Sequence, residues 1–278
     1  MPFALCIVLL HVVSFLFSLH DRSIMKAFAS STVTDSFGHT LRYYQINQPG
    51  AHWNIVFIHG TPATAAIFGE QFCIPFPDAN LIAFDRPGFG ASKPGQKSPS
   101  LEDQAAAVDA VLEMVKGRPT ILVGHSYGAP VALLAALKFT NQIAGVVLIG
   151  GSIDPDQEQT YAIQRIADWP FVSWLVPRPL RQCNRELLTL RADLMRLQPQ
   201  LSALVVPVVM LHGGRDHQVP IANVDYLHTQ LAAAGKTNLF GQLLFPEYNH
   251  FIPWEHPDAV EAAIRELTNR LDVIARHY

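Results

Sequence analysis

The stretch Pro119–Pro130, PTILVGHSYGAP, places the tightest demand on how this chain can fold. Thr120, Ile121, Leu122 and Val123 form a short apolar run rich in β-branched residues, the pattern of a strand buried on both faces of a parallel sheet. Ala129 to Leu137 then reads as a helix. Only Gly124-His125-Ser126-Tyr127-Gly128 separates the two, so the chain must reverse within a G-x-S-x-G turn. In such a turn the glycines let strand and helix approach, and Ser126 takes a strained position that exposes its hydroxyl at the sheet edge. A helix beginning just after the serine also directs backbone N–H groups and positive dipole toward that point. With 17 glycines in the chain, the same five residues also fit an ordinary strand-to-helix turn, so their meaning depends on what surrounds them.

The surroundings alternate strand and helix. Val33 to Gln45 reads as a hairpin with Phe37-Gly38-His39 at its turn, an antiparallel edge to the main sheet. Buried strands are expected at Asn54–Ile58, Leu81–Phe84, Val146–Ile149, Val205–Leu211 and Gln242–Phe245. Helices are expected near 64–72, over 101–115, where Leu101, Ala105, Val108, Leu112 and Val115 recur at helical spacing, and over 257–274. Such alternation predicts an α/β fold: a mostly parallel, twisted sheet of about eight strands with helices on both faces.

Two stretches break the rhythm. Residues 152–203 carry helical pieces interrupted by Pro155, Pro170, Pro177 and Pro179 with no convincing strand, which predicts a helical cap inserted after the sixth strand. The core domain would then comprise 31–151 and 204–278. Trp169, Phe171 and Trp174, with Leu175, either line an apolar substrate pocket or form the core of the cap itself.

The other break is Phe3 to Leu19, which has no charged residue and is dominated by Leu, Val, Ile and Phe. Residues 1–30 therefore read as a targeting or anchor segment, with membrane association through 3–19 and Ala27-Phe28-Ala29 as a cleavage site. Arg22 and Lys26 follow the apolar run rather than precede it, the reverse of a signal peptide's charge order, and a start at Met25 would leave a cytoplasmic protein.

Charge and cysteine content narrow the function classes. Lys plus Arg total 20 against 23 Asp plus Glu, a formal charge of -3, so no broad basic field points to nucleic acid and a neutral or apolar small molecule suits the chain better. Cys6, Cys73 and Cys183 lack C-x-x-C spacing and indicate neither a zinc site nor a disulfide framework, although Cys73 and Cys183 could pair in an exported protein.

Downstream of the elbow, His212-Gly213-Gly214-Arg215-Asp216 follows one expected strand and Pro246-Glu247-Tyr248-Asn249-His250 follows the last. Upstream, His59-Gly60-Thr61-Pro62 and Asp85-Arg86-Pro87-Gly88-Phe89-Gly90 follow two others. This order resembles the α/β-hydrolase superfamily, in its cap-bearing serine hydrolase branch, from about residue 33 to the C-terminus. The resemblance implies Ser126 as nucleophile, Asp216 as acid and His250 as base, in the chain order of that family. Asp154, just after the preceding strand, is the reserve acid. The oxyanion hole would use the backbone N–H groups of Thr61 and Tyr127, since Pro62 has none to give. His59-Gly60-Thr61-Pro62 departs from the HGGG form of many lipases. His59, His125 and His212 are expected to brace loops, as are Asp85 and Arg86.

The resemblance implies hydrolytic acyl transfer without metal or organic cofactor, with a carboxylic ester of a small apolar molecule as substrate. Serine at the elbow argues against the family's epoxide hydrolases and haloalkane dehalogenases, which use a carboxylate there. Carbon–carbon bond hydrolysis, lactone hydrolysis and perhydrolysis share the same triad. A non-catalytic ligand-binding protein of the same fold is the alternative of another class, marked in general by loss of a triad member.

Overall fold

The computed structural model describes residues 24–36, 38–93 and 100–276, with side chains described as far as Val273. The apolar run 3–19, Cys6 and the hairpin-turn residue Phe37 lie outside the described residues.

Eight strands form one sheet: β1 (Ser30–Thr34), β2 (Thr40–Ile46), β3 (Trp53–Ile58), β4 (Ala79–Phe84), β5 (Thr120–His125), β6 (Ile143–Ile149), β7 (Val208–Gly213) and β8 (Phe240–Phe245). Their order is β1-β2-β4-β3-β5-β6-β7-β8. β1 and β2 form the expected antiparallel hairpin, Thr34 opposite Thr40, and β2 is antiparallel to β4. The remaining neighbours are parallel. This is the expected α/β architecture.

Alternation along the central strands feeds two apolar layers, because successive side chains point to opposite faces. Val56, Ile58, Leu122, Val146, Leu148, Val208 and Met210 pack with the helices 128–138 and 222–233. Ile55, Phe57, Ile121, Val123, Val147, Ile149, Val209 and Leu211 pack with helix Pro257–Arg276. Burial on both faces explains why these strands are continuous apolar runs.

Several boundaries differ from the sequence reading. β7 begins at Val208, because Pro207 has no N–H for the ladder and Val205 is exposed. The expected helix 101–115 is two, Leu101–Ala106 and Val108–Met114, loosened at Ala107 where ψ is -18°. Met25 is buried beside Phe57, Phe68 and Phe72, and the Phe28 ring meets that of Phe72 edge-on at 5.4 Å. The packed fold therefore begins before residue 31, and cutting at 27–29 would remove Met25 from this layer.

Between β6 and β7 lie helices Ala162–Ala167, Pro170–Ser173 and Arg178–Leu197, then a 3-10 turn at Gln198–Ala203. The expected helical insertion is present, but it is not separate from the core. Leu190, Leu194, Leu197 and Leu201 are buried in the same apolar layer as the sheet. Helix Arg178–Leu197 of the insertion thus contributes to the core layer as well.

Candidate active site

The site lies where the parallel strands end, the usual crevice of an open α/β sheet. Ser126 follows β5 with φ at 55°, the one non-glycine residue with positive φ among those described. A side chain there is strained and persists only where its neighbours over-determine it. They do: the Ser126 N–H donates to the Ile149 carbonyl at 2.9 Å, its own carbonyl accepts from Ala129 N–H at 3.0 Å, and helix Gly128–Lys138 starts two residues on. A Cβ on Gly128 would run into the Ile58 carbonyl oxygen, so the close crossing of elbow and β3 requires glycine.

Asp216 and His250 arrive on the loops after β7 and β8. The His250 Nδ1–H donates to Asp216 Oδ2 at 2.7 Å with both side chains almost fully buried, which leaves Nε2 as the basic nitrogen of the neutral ring. Asp216 Oδ1 accepts from the backbone N–H groups of Gln218 at 2.9 Å and Val219 at 2.8 Å. Burial alone would raise the Asp216 carboxyl. The hydrogen bond and charge of His250, with the two amides, outweigh it and hold the group below the ordinary carboxylate range. The two loops are also tied by Arg215 N–H to the Tyr248 carbonyl and Gly214 N–H to the Phe245 carbonyl, each 2.9 Å.

Asp154 is turned to other work. Its Oδ1 accepts from Asp156 N–H at 2.9 Å, and its own N–H donates to Asn223 Oδ1 at 2.8 Å. The histidine's carboxylate partner is therefore Asp216.

The three other strand-end histidines are buried and bound to backbone. His125 Nε2–H donates to the His250 carbonyl at 3.0 Å, with ring centroids 4.8 Å apart, which holds the His250 loop beside the elbow. Burial, helped by the nearby His250, pushes His125 down to about 3. His212 Nε2–H donates to the Val219 carbonyl at 3.0 Å, and burial lowers it too. His59 Nδ1–H donates to the Gly60 carbonyl at 2.7 Å while its Nε2 accepts from Arg86 N–H at 3.0 Å. Burial and then Arg86 drive its pKa well down. In all three rings burial favours the neutral form. Among the described residues no group of three or more His, Cys, Asp or Glu could hold a metal.

Thr61 and Tyr127, the expected oxyanion donors, flank Ser126. A Cβ placed on Gly60 would lie 2.8 Å from the Ser126 Cβ, so the segment carrying Thr61 passes close beside Ser126. Asp85 accepts from Arg42 Nε at 2.7 Å, Ala91 N–H at 2.9 Å and Ala65 N–H at 3.0 Å, bracing the neighbouring loops.

The sequence profile of the Alpha/beta hydrolase family matches residues 55–263. The chain belongs to that family. It is 33% identical over 131 residues to "Protein PHYLLO, chloroplastic" of Arabidopsis thaliana, covering 42% of this chain and 7% of that protein. Over 138 residues it is 30% identical to "Probable lysophospholipase BODYGUARD 4" of the same plant, covering 47% and 33%. The matches thus span well under half the length of these curated relatives. The esterase EaEST of Exiguobacterium antarcticum superposes with a TM-score of 0.66 at 17% identity, covering 86% of this chain and all of that one, a likeness of fold.

Trp169, Phe171 and Trp174 are 62%, 90% and 79% exposed, so they neither line a closed pocket nor form a core of the helical insertion. Cys73 is exposed and Cys183 buried, both as free thiols. Sequence reasoning missed Glu186. Its position on an amphipathic helix gave no sign that it is fully buried.

Proposed function

We propose that this protein is a serine hydrolase that cleaves a carboxylic ester, or a related acyl bond, of a small apolar molecule through Ser126, Asp216 and His250. The observation that carries the reading is the 2.7 Å bond from His250 to a carboxylate fixed by two backbone amides, beside a serine held at positive φ. The Ser126 hydroxyl attacks the carbonyl carbon as its proton passes to His250 Nε2. The negative charge that develops on the carbonyl oxygen is met by the N–H groups of Thr61 and Tyr127. Collapse expels the alcohol, which takes the proton from His250, and leaves an acyl-serine. Water, deprotonated by the same nitrogen, releases the acid. The helical segment between β6 and β7 is read as the cap over this site, and residues 3–19 as a membrane anchor.

Labelling with a fluorophosphonate, followed by turnover of a panel of esters, lactones and thioesters, tests the chemistry. An adduct on Ser126 is expected, and Ser126→Ala should lose on the order of 10⁶-fold in kcat. Absence of an adduct on the wild type would favour a ligand-binding protein. Fractionation of the full chain tests the anchor separately: recovery in the membrane fraction supports it.

A further inference from the structure

A fully buried ion pair lies outside the proposed triad. Arg86, in the loop after β4, and Glu186, on the cap helix Arg178–Leu197, form an ion pair with both side chains fully buried. A guanidinium has five N–H donors, and Arg86 uses all of them. Nε donates to the His59 carbonyl at 2.8 Å, one Nη1–H to Gln104 Oε1 at 3.0 Å and the other to Glu186 Oε1 at 2.7 Å. Nη2 donates to the Gly60 carbonyl at 2.9 Å and to Glu186 Oε2 at 3.2 Å.

The bond to Gly60 bears on the chemistry. The Gly60 carbonyl and the Thr61 N–H belong to one planar peptide unit, so fixing one fixes the direction of the other. That carbonyl accepts from both Arg86 and His59 Nδ1, which uses both its lone pairs. Donors on the carbonyl also polarise the peptide and strengthen its N–H as a donor. The same guanidinium lies 4.8 Å over the ring of Tyr127, whose N–H is the second oxyanion donor. One buried cation thus holds the carbonyl of the peptide that carries one N–H of the hole and lies against the side chain of the residue that carries the other.

Glu186 keeps that cation in place. Burial raises its carboxyl and Arg86 opposes the shift. Gln182, one turn earlier, presses on Gly88 in the Arg86 loop, where a Cβ would fall 2.7 Å from its side chain. We propose that Arg86 and Glu186 are positioning residues that set the oxyanion hole, and that Glu186 makes the hole depend on the seating of the cap helix. This rests on the serine hydrolase reading above.

The test compares wild type with Glu186→Gln and with the double variant Arg86→Met/Glu186→Met. Replacing both ions together leaves no lone buried charge behind, so the double variant remains informative where the single one does not fold. Turnover of p-nitrophenyl butyrate is normalised to sites titrated with a fluorophosphonate. Affinity is measured for an alkylboronic acid, whose tetrahedral serine adduct places an oxygen in the hole. Losing an oxyanion donor outright costs about 10²–10³ in kcat, so a misaligned one should cost roughly tenfold or more. The expected result is that loss in kcat with KM within about twofold, and boronate affinity reduced by the same factor. A folded variant with wild-type kcat and boronate affinity overturns the inference while the hydrolase reading stands. A wild type that neither turns over ester nor binds boronate overturns both.

Discussion

The loops around Ser126 and the short helices between β6 and β7 are held by different kinds of contact. Asp216, His250, His125 and Arg86 are buried, and their polar side chains bond to backbone amides or carbonyls or to one another. Over 161–174, by contrast, Tyr161, Ile163, Trp169, Phe171 and Trp174 are exposed. The cap helix joins the two regimes: Glu186 and Leu190 are fully buried, while Arg191 and Met195 are exposed. Where a loop is fixed by its own backbone bonds, one atom decides the geometry. Where aromatic rings stand in water, removing one changes little in the folded state.

The largest effect that would sharpen this contrast is at the acid. Asp216→Asn should lower kcat on the order of 10⁴-fold by leaving His250 in the wrong tautomer, whereas Asp154→Asn should stay within a few-fold. Steady-state kinetics on both variants decide, and a large loss confined to Asp154→Asn would reassign the acid. Next comes the elbow. Gly128→Ala should cost about 3 kcal/mol or more of stability, read from urea melts, because the added carbon meets the Ile58 carbonyl. A melt unchanged from wild type would mean that the crossing is looser than described.

A pH effect of intermediate size should follow from His125. Its folded pKa of about 3 lies below the 6.5 of a solvent-exposed imidazole, so the unfolded chain binds a proton between these limits and the folded one does not. Stability is therefore retained above pH 6.5 and falls as the pH drops, by about 1.4 kcal/mol per unit from this group. Urea melts at pH 7 and pH 5 should show a difference smaller by about 2 kcal/mol in His125→Gln. Equal pH dependence in both proteins would place a charged His125 within reach of solvent. The smallest effect belongs to the exposed rings: Trp169→Ala, Phe171→Ala and Trp174→Ala should each shift stability by no more than about 0.5 kcal/mol. A loss of several kcal/mol would show that they are packed in solution.

Most of the strand series and the placing of the site were legible in the chain, for a local reason. A buried parallel strand must be a short apolar run, and a G-x-S-x-G turn between strand and helix leaves little choice of where the serine stands. The same locality explains the errors. Val205 looks like strand until Pro207 removes a ladder donor, and Trp169, Phe171 and Trp174 have the composition of a pocket wall whether or not anything covers them.

By itself, then, the sequence determined the alternation of strands and helices, the elbow at Ser126 and the strand ends that deliver Asp216 and His250, because each follows from residues adjacent in the chain. Tertiary structure alone decided that His250 pairs with Asp216 rather than Asp154, that Met25 belongs to the core, and that Glu186 meets Arg86 across 100 positions. Such partners come from separate segments, and the free energy that selects them is burial, which no local pattern records.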